Sequence, residues 1–245
     1  MLFRSLVKLI ENKRKTGVFL SVLGVGRGNL QDATMERLAD KGNGNYAYID
    51  SLDEAKKVLV DEAAATLVTI AKDVKIQVEF DAAEVASWRL VGYENRKLAH
   101  RDFADDTKDA GEIGAGHSVT ALYEVVPARA EMERMGPLMN VALRWKSPDG
   151  DVSTEKTHKV GSDARSLAST SNDFRRAASA AQFGMLLRGS THRGKATWAT
   201  TIELAQGAMG ETPSCEDAEL AQLIGRAAQL SGVDARAKPV SCKKI

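Results

Sequence analysis

The chain has 245 residues, 43% hydrophobic and 27% charged, an ordinary globular composition with room for one large domain or two to three small ones. Its 34 basic and 33 acidic side chains leave a net charge of +1, so no overall field attracts nucleic acid or an anionic membrane surface. No apolar stretch reaches the ~20 residues of a membrane span, and the two cysteines, Cys215 and Cys242, are too few for a disulfide framework and lack metal-ligand spacing.

Residues 1–17 read as an amphipathic helix: Leu2, Phe3, Leu6, Val7 and Ile10 recur at helical spacing and are interrupted by Arg4, Lys8 and Glu11, which is not the layout of a signal peptide. Residues 18–25 form a near-continuous apolar run with Val18, Val22 and Val25, the pattern of a strand covered on both faces in a parallel sheet. The run ends in Gly24-Val25-Gly26-Arg27-Gly28-Asn29, a glycine-rich turn, after which Asn29 or Asp32 can cap a helix that buries Leu30, Met35, Leu38 and Ala39. Lys41-Gly42 ends that helix, and Asn43-Gly44 turns the chain into a second strand at 45–49. Ser51 and Glu54 have the spacing of a capping box ahead of a helix whose face is Ala55, Val58, Leu59, Ala63 and Leu67. The order helix, strand, helix, strand, helix is half of a doubly wound α/β sheet.

From residue 71 the period changes to two. Val74, Ile76, Val78 and Phe80 alternate with Lys75, Gln77 and Glu79 in a half-buried antiparallel strand at 73–81. Further strands are expected at 88–93, 117–126, 139–145 and 152–160, with a turn at Ser147-Pro148-Asp149-Gly150, and together they suggest a small β-sandwich. The polar stretch 95–116 reads as a long loop holding Asp102, Asp105, Asp106, Asp109 and Glu112. A Ser-rich connector at 161–172 leads into helical patterns at 173–187, 195–209 and 216–230, and 231–245 reads as a loose tail. The expected division is 1–70, 71–162 and 163–245.

The segments LGVGRGN, MERLADKGNGNYAYID and TLVTIAKDVKIQVEF carry a resemblance. They are similar to the C-terminal half of the von Willebrand factor type A domain in a family of bacterial cell-envelope proteins, where a β-rich segment and a helical C-terminal region follow. The resemblance runs over nearly all of the chain and implies a non-enzymatic protein-interaction or adhesion module with an unidentified protein partner, located in the envelope as a periplasmic or lipid-anchored protein. It also implies a metal-ion-dependent adhesion site in which an Asp-x-Ser-x-Ser loop, a Thr and a further Asp hold Mg²⁺, oxygen ligands that suit a hard cation. No Asp-x-Ser-x-Ser occurs here, and Asp151-Val152-Ser153-Thr154-Glu155 is the nearest string. The expectation is therefore a fragment that lacks the metal-site half, with Mg²⁺ implied only for a full-length relative and no cofactor or metal residue in this chain. Half a sheet has an unpaired edge, which also invites self-association.

The loop at 24–29 lies where open α/β sheets bind, at the carboxyl ends of their strands. Gly26, Arg27, Gly28 and Asn29 are the expected partner-binding rim, and a plain strand-to-helix turn is the alternative for the same residues. A nucleotide-binding enzyme or regulator is the rival from another class, since glycine loops before helices cradle phosphates, but the third glycine comes one residue early for G-x-G-x-x-G. No catalytic residue is assigned: His100, His117, His158 and His192 are scattered, with His117 at a turn. The acidic run 102–112 lacks the order of a calcium loop and reads as a solvated face. Arg175, Arg176, Arg188, Arg193 and Lys195 lack the interleaved aromatics of a nucleic-acid site.

Overall fold

Helical and alternate spacing of apolar residues sets the element order in the computed structural model of the chain, which describes residues 2–14, 16–26, 28, 30–92, 98–108, 110–130, 136–161 and 163–242. In chain order these are α1 (Leu2–Arg14), β1 (Leu20–Val25), α2 (Asp32–Lys41), β2 (Asn43–Ile49), α3 (Leu52–Lys56), α4 (Ala63–Leu67), β3 (Thr69–Phe80), β4 (Val85–Val91), β5 (Gly111–Gly114), β6 (Leu122–Pro127), β7 (Met139–Lys146), β8 (Ser153–Val160), α5 (Asn172–Leu187), α6 (Trp198–Gly207) and α7 (Cys215–Leu230). The chain gathers into two interleaved compact units. One comprises Met1–Asp81, Arg96–Val119 and Gly136–Gly161, the other Ala82–Asn95, Thr120–Met135 and Ser162–Ile245. The expected boundaries at 70 and 162 therefore differ from the observed grouping: one strand pair leaves the middle block and joins the helical region.

In the first unit β1 and β2 pair in parallel, with Val22 opposite Tyr46 and Val25 opposite Ile49, and α2 packs against both. A Cβ on Gly44 would sit 2.0 Å from the Leu20 carbonyl oxygen, so only glycine lets the two backbones approach here. Asn43 takes the left-handed conformation at φ 52°, accepts a hydrogen bond from Arg14 Nη1 at 3.1 Å and donates from Nδ2 to Glu112 Oε1 at 2.6 Å. The expected two-sided burial of β1 is not seen. Val18 and Leu23 are exposed and Val25 is 71% exposed, because α2 covers only one face of the pair.

Ser51 caps α3 as the sequence implies, accepting from the Glu54 amide at 3.2 Å. The helix after it does not continue straight. A π turn at Lys57–Asp61 separates α3 from α4, closed by the Glu62 amide on the Lys57 carbonyl at 2.8 Å. One wide turn shifts the phase of the face, so Val58 is buried while Leu59 and Leu67 point to solvent.

β3 is the spine of a four-stranded antiparallel sheet in the order β5-β3-β7-β8. Its register shifts between Lys72 and Lys75, where Asp73 has φ 52°; before this bulge β3 pairs with β5, after it mainly with β7. β5 lies within the stretch expected to be loop. β7 and β8 form the hairpin expected from Ser147–Gly150, whose turn closes with the Gly150 amide on the Ser147 carbonyl at 3.0 Å.

In the second unit β4 and β6 form a two-stranded antiparallel ribbon, with Trp88 opposite Val125 and Leu90 opposite Tyr123. The strands expected of one β-sandwich thus divide between a four-stranded sheet and a separate ribbon. The strand expected from 117 begins at Leu122, while the His117 amide closes a turn onto the Gly114 carbonyl at 3.0 Å; Tyr93, Asn95 and Asp109, also part of those expectations, lie outside the described residues. The helices form where the apolar periods lie, with Phe174 of α5 and Leu223 of α7 standing exposed on the expected faces. Ile202 and Ala205 of α6 and Ala221, Ile224 and Ala228 of α7 form the core, with Ile224 wholly inaccessible. The segment after α7 is not loose: Ala235 and Ala237 are buried in this core, the Lys238 carbonyl accepts from Gln206 Nε2 at 2.9 Å, and Cys242 is disulfide-bonded to Cys215.

Candidate functional site

The carboxyl ends of β1 and β2 meet at a shallow cleft of about 300 Å³ lined by Val25, Gly26, Ile49, Asp50, Ser51 and Leu52. Gly26 and Gly28 have φ of 99° and 117°, angles that side chains rarely adopt, so this chain path needs glycine at both positions. Tyr48 Oη donates to the Gly26 carbonyl at 2.8 Å, and the Leu30 amide returns to the Gly28 carbonyl at 2.9 Å. Of the expected rim, Gly26 lines the cleft, Gly28 is exposed in the loop, and Arg27 and Asn29 lie outside the described residues. Beside Gly26 lie Leu52 and Val25, neither expected as part of the rim, both apolar and open to solvent.

Gln31, without a side-chain cap bond, stands at the N-cap of α2, and Asp32 is the first helical residue rather than the expected cap. The Asp32 carboxylate accepts a hydrogen bond from Tyr46 Oη, which pushes the Tyr46 phenol up to about 12. A phosphate approaching the start of α2 would meet that carboxylate, which works against the anion preference of a helix N-terminus. The rim also does not fit a Mg²⁺ site: Asp50 is its sole carboxylate, and the neighbouring Ser51 hydroxyl is occupied in capping α3. Among the described residues no group of three or more His, Cys, Asp and Glu side chains could hold a metal ion.

The acidic run that read as a solvated face is instead bound to the sheet. Arg144 of β7 contacts Asp106 at 3.0 Å and Glu155 of β8 at 3.0 Å. Ser153 Oγ donates to Asp106, and Lys146 donates to Asp73 at 2.7 Å and to the Asp106 carbonyl at 3.0 Å. Lys75, only 4% exposed, donates to the carbonyls of Asp102 and Asp105. The Ser153 hydrogen bond, then Arg144, hold the Asp106 carboxyl below its usual range. Lysines and arginine on one sheet face thus neutralise a loop that would otherwise repel itself. Arg176 of α5 is engaged in the same way, paired to the buried Asp217 of α7 and to Asp173 at 2.9 Å, while Arg175 donates to the carbonyls of Ala168 and Thr170.

Beside this loop the polar face carries a second cleft of about 400 Å³, between β3, β7, β8 and the segment at Phe103, with Gln77, Glu79, Asn140, Glu155 and Lys159 among its walls. Sequence reasoning missed it. The signal was present in the polar positions of β3 and in Asn140 between Met139 and Val141, but only the pairing of Glu79 with Asn140, and of Asn140 with Lys159, brings them together. The four histidines remain on separate elements; His100 Nε2 lies 3.0 Å from Glu79 Oε1.

No helix among the described residues is long and apolar enough to cross a membrane. No solved structure matches the chain. The chain is 39% identical over 237 residues to a protein of Escherichia coli (strain K12) described as Uncharacterized protein YfbK, an alignment covering 90% of this chain and 41% of that relative. It therefore spans about two fifths of the relative's length. A family model described as Uncharacterized protein YfbK, C-terminal, matches residues 65–230, which run from within α4, through both clusters of strands, to the last residue of α7. With most of its length matched in this way, the chain belongs to the YfbK C-terminal family.

Proposed function

We propose that the chain is a non-enzymatic protein-interaction module, part of a longer bacterial envelope protein, and that its β1–β2 half is the C-terminal part of a von Willebrand type A sheet. The observation that carries this reading is the rim at the ends of β1 and β2. There Gly26, whose carbonyl accepts from Tyr48, lies beside two solvent-facing apolar side chains, Val25 and Leu52, in one cleft. Apolar side chains standing in water are suited to recognition, since burying apolar surface on contact is favourable by about 25 cal/mol per Å². The parallel pairing of β1 with β2 and the packing of α2 on both are consistent with a doubly wound sheet. The relative's greater length leaves room for the remainder of such a sheet and for its metal site. Any Mg²⁺-bridged contact would belong to that remainder. The Cys215–Cys242 disulfide favours an oxidising compartment, in keeping with an envelope location. The carboxylate of Asp32 at the start of α2 weighs against the nucleotide-binding alternative.

Site-specific photo-crosslinking in the native host tests the reading. A photoreactive residue at position 27 is expected to give discrete adducts, whereas the same residue at Val152, an exposed position remote in sequence, gives none. Equal adducts at both positions, or none at either, would remove the rim as a contact surface. A rise in melting temperature with a nucleotide would establish native-state binding and transfer the assignment to the rival class.

A further inference from the structure

We propose that the cleft on the polar face of the β3-β7-β8 sheet is a binding site for an organic cation with an aliphatic stem, a guanidinium or primary ammonium group. It is independent of the rim and rests on the second cleft alone. Its lining is rich in acceptors. Gln77 Oε1 and Asn140 Oδ1 are both buried with no hydrogen-bond partner among the described residues, although a buried acceptor left without a donor is destabilising. Two carboxylates flank them. Glu79 Oε1 accepts from Gln77 Nε2 at 2.8 Å and lies 3.0 Å from His100, and Glu155 Oε2 accepts from Arg144 at 3.0 Å. Each carboxylate has capacity for further donors.

Such a set calls for a ligand that donates several hydrogen bonds and accepts none, which describes guanidinium and ammonium. Phe103, Ala104 and Ala142 give the cleft apolar surface on which the methylene stem of such a cation can lie, and Thr157 and Lys159 of β8 complete the lining. At about 400 Å³ the cleft has room for a chain of that size. Lys159 is the internal rival. It stands opposite Asn140 on β8 and in another rotamer could supply the missing donor itself.

Titration of the ¹⁵N-labelled chain with 1-butylguanidinium, and with pentanamide as the neutral counterpart, tests the site. The expected result is saturable movement of the Gln77 and Asn140 side-chain amide signals with the cation and none with the amide. Asn140→Ala is expected to weaken binding about fivefold, the worth of one lost hydrogen bond, without lowering the melting temperature, because the acceptor it removes is unpaired. Lys159→Met is expected to tighten binding by removing a like charge. Absence of saturation up to about 20 mM, an affinity weaker than about 4 kcal/mol would give, would overturn the proposal. An equal response to pentanamide would mark a merely apolar groove. A lower melting temperature for Lys159→Met with no gain in binding would show that Lys159 is the native donor, and would equally overturn it.

Discussion

Tyr46 shows how a single side chain reports the packing of α2 on the parallel pair. Its hydroxyl donates to Asp32, so losing the proton would place two negative charges together, and the phenol is held up to about 12 by that hydrogen bond first and by partial burial second. A group whose folded value is raised contributes stability that is fully present below its unfolded value near pH 10 and is lost as pH rises through about 12. Ultraviolet titration of tyrosinate is therefore expected to show a component ionising near pH 12 that disappears in Tyr46→Phe and moves down in Asp32→Asn. No change in either variant would mean that the two side chains do not meet. The hydrogen bond was not legible in the sequence, because residues 32 and 46 come together only when α2 packs on β2. The glycine turn was legible, because positive φ at Gly26 and Gly28 is a demand that the residue type itself announces.

At the scale of elements, the chain after α7 carries a clear consequence. The disulfide joins Cys215, the first residue of α7, to Cys242, 27 positions on. Closing a loop of that length restricts the unfolded chain and stabilises the fold by about 3–4 kcal/mol on the chain-entropy account. Cys242→Ser, or reduction of the native chain, is expected to lower the denaturant midpoint of the helical unit accordingly, read by far-ultraviolet circular dichroism; an unchanged midpoint would exclude a stabilising role. Composition left the pairing open, since two cysteines say nothing of their separation in space. Helices α5 to α7 were readable from their apolar periods, and the β7–β8 hairpin from its turn. The break at Lys57–Asp61 was not, because a π turn alters the phase of a face without any proline or glycine to mark it. β5 was missed for a related reason: four residues with glycine at both ends display no alternation.

For the molecule as a whole, charge is the property that composition constrains most directly. A net charge of +1 gives no overall field toward phosphates, and Lys75, Arg144 and Lys146 are committed to the acidic loop and Arg176 to Asp217. No binding to duplex DNA is expected at about 150 mM salt, where nonspecific association depends on several unpaired phosphate contacts; saturable fluorescence anisotropy with labelled DNA would contradict this. The sequence by itself determined the composition class, the helical and alternating periods, the turns and the absence of a long apolar helix, because these depend on neighbours a few residues apart. Only the tertiary structure decided the rest. It grouped β4 and β6 with the helical region, brought Cys242 to Cys215, laid the acidic loop on the basic face of the sheet, and placed Gln77 and Asn140 in one cleft. Each of these depends on register and on contacts between residues far apart in the chain, and local periodicity carries no record of them.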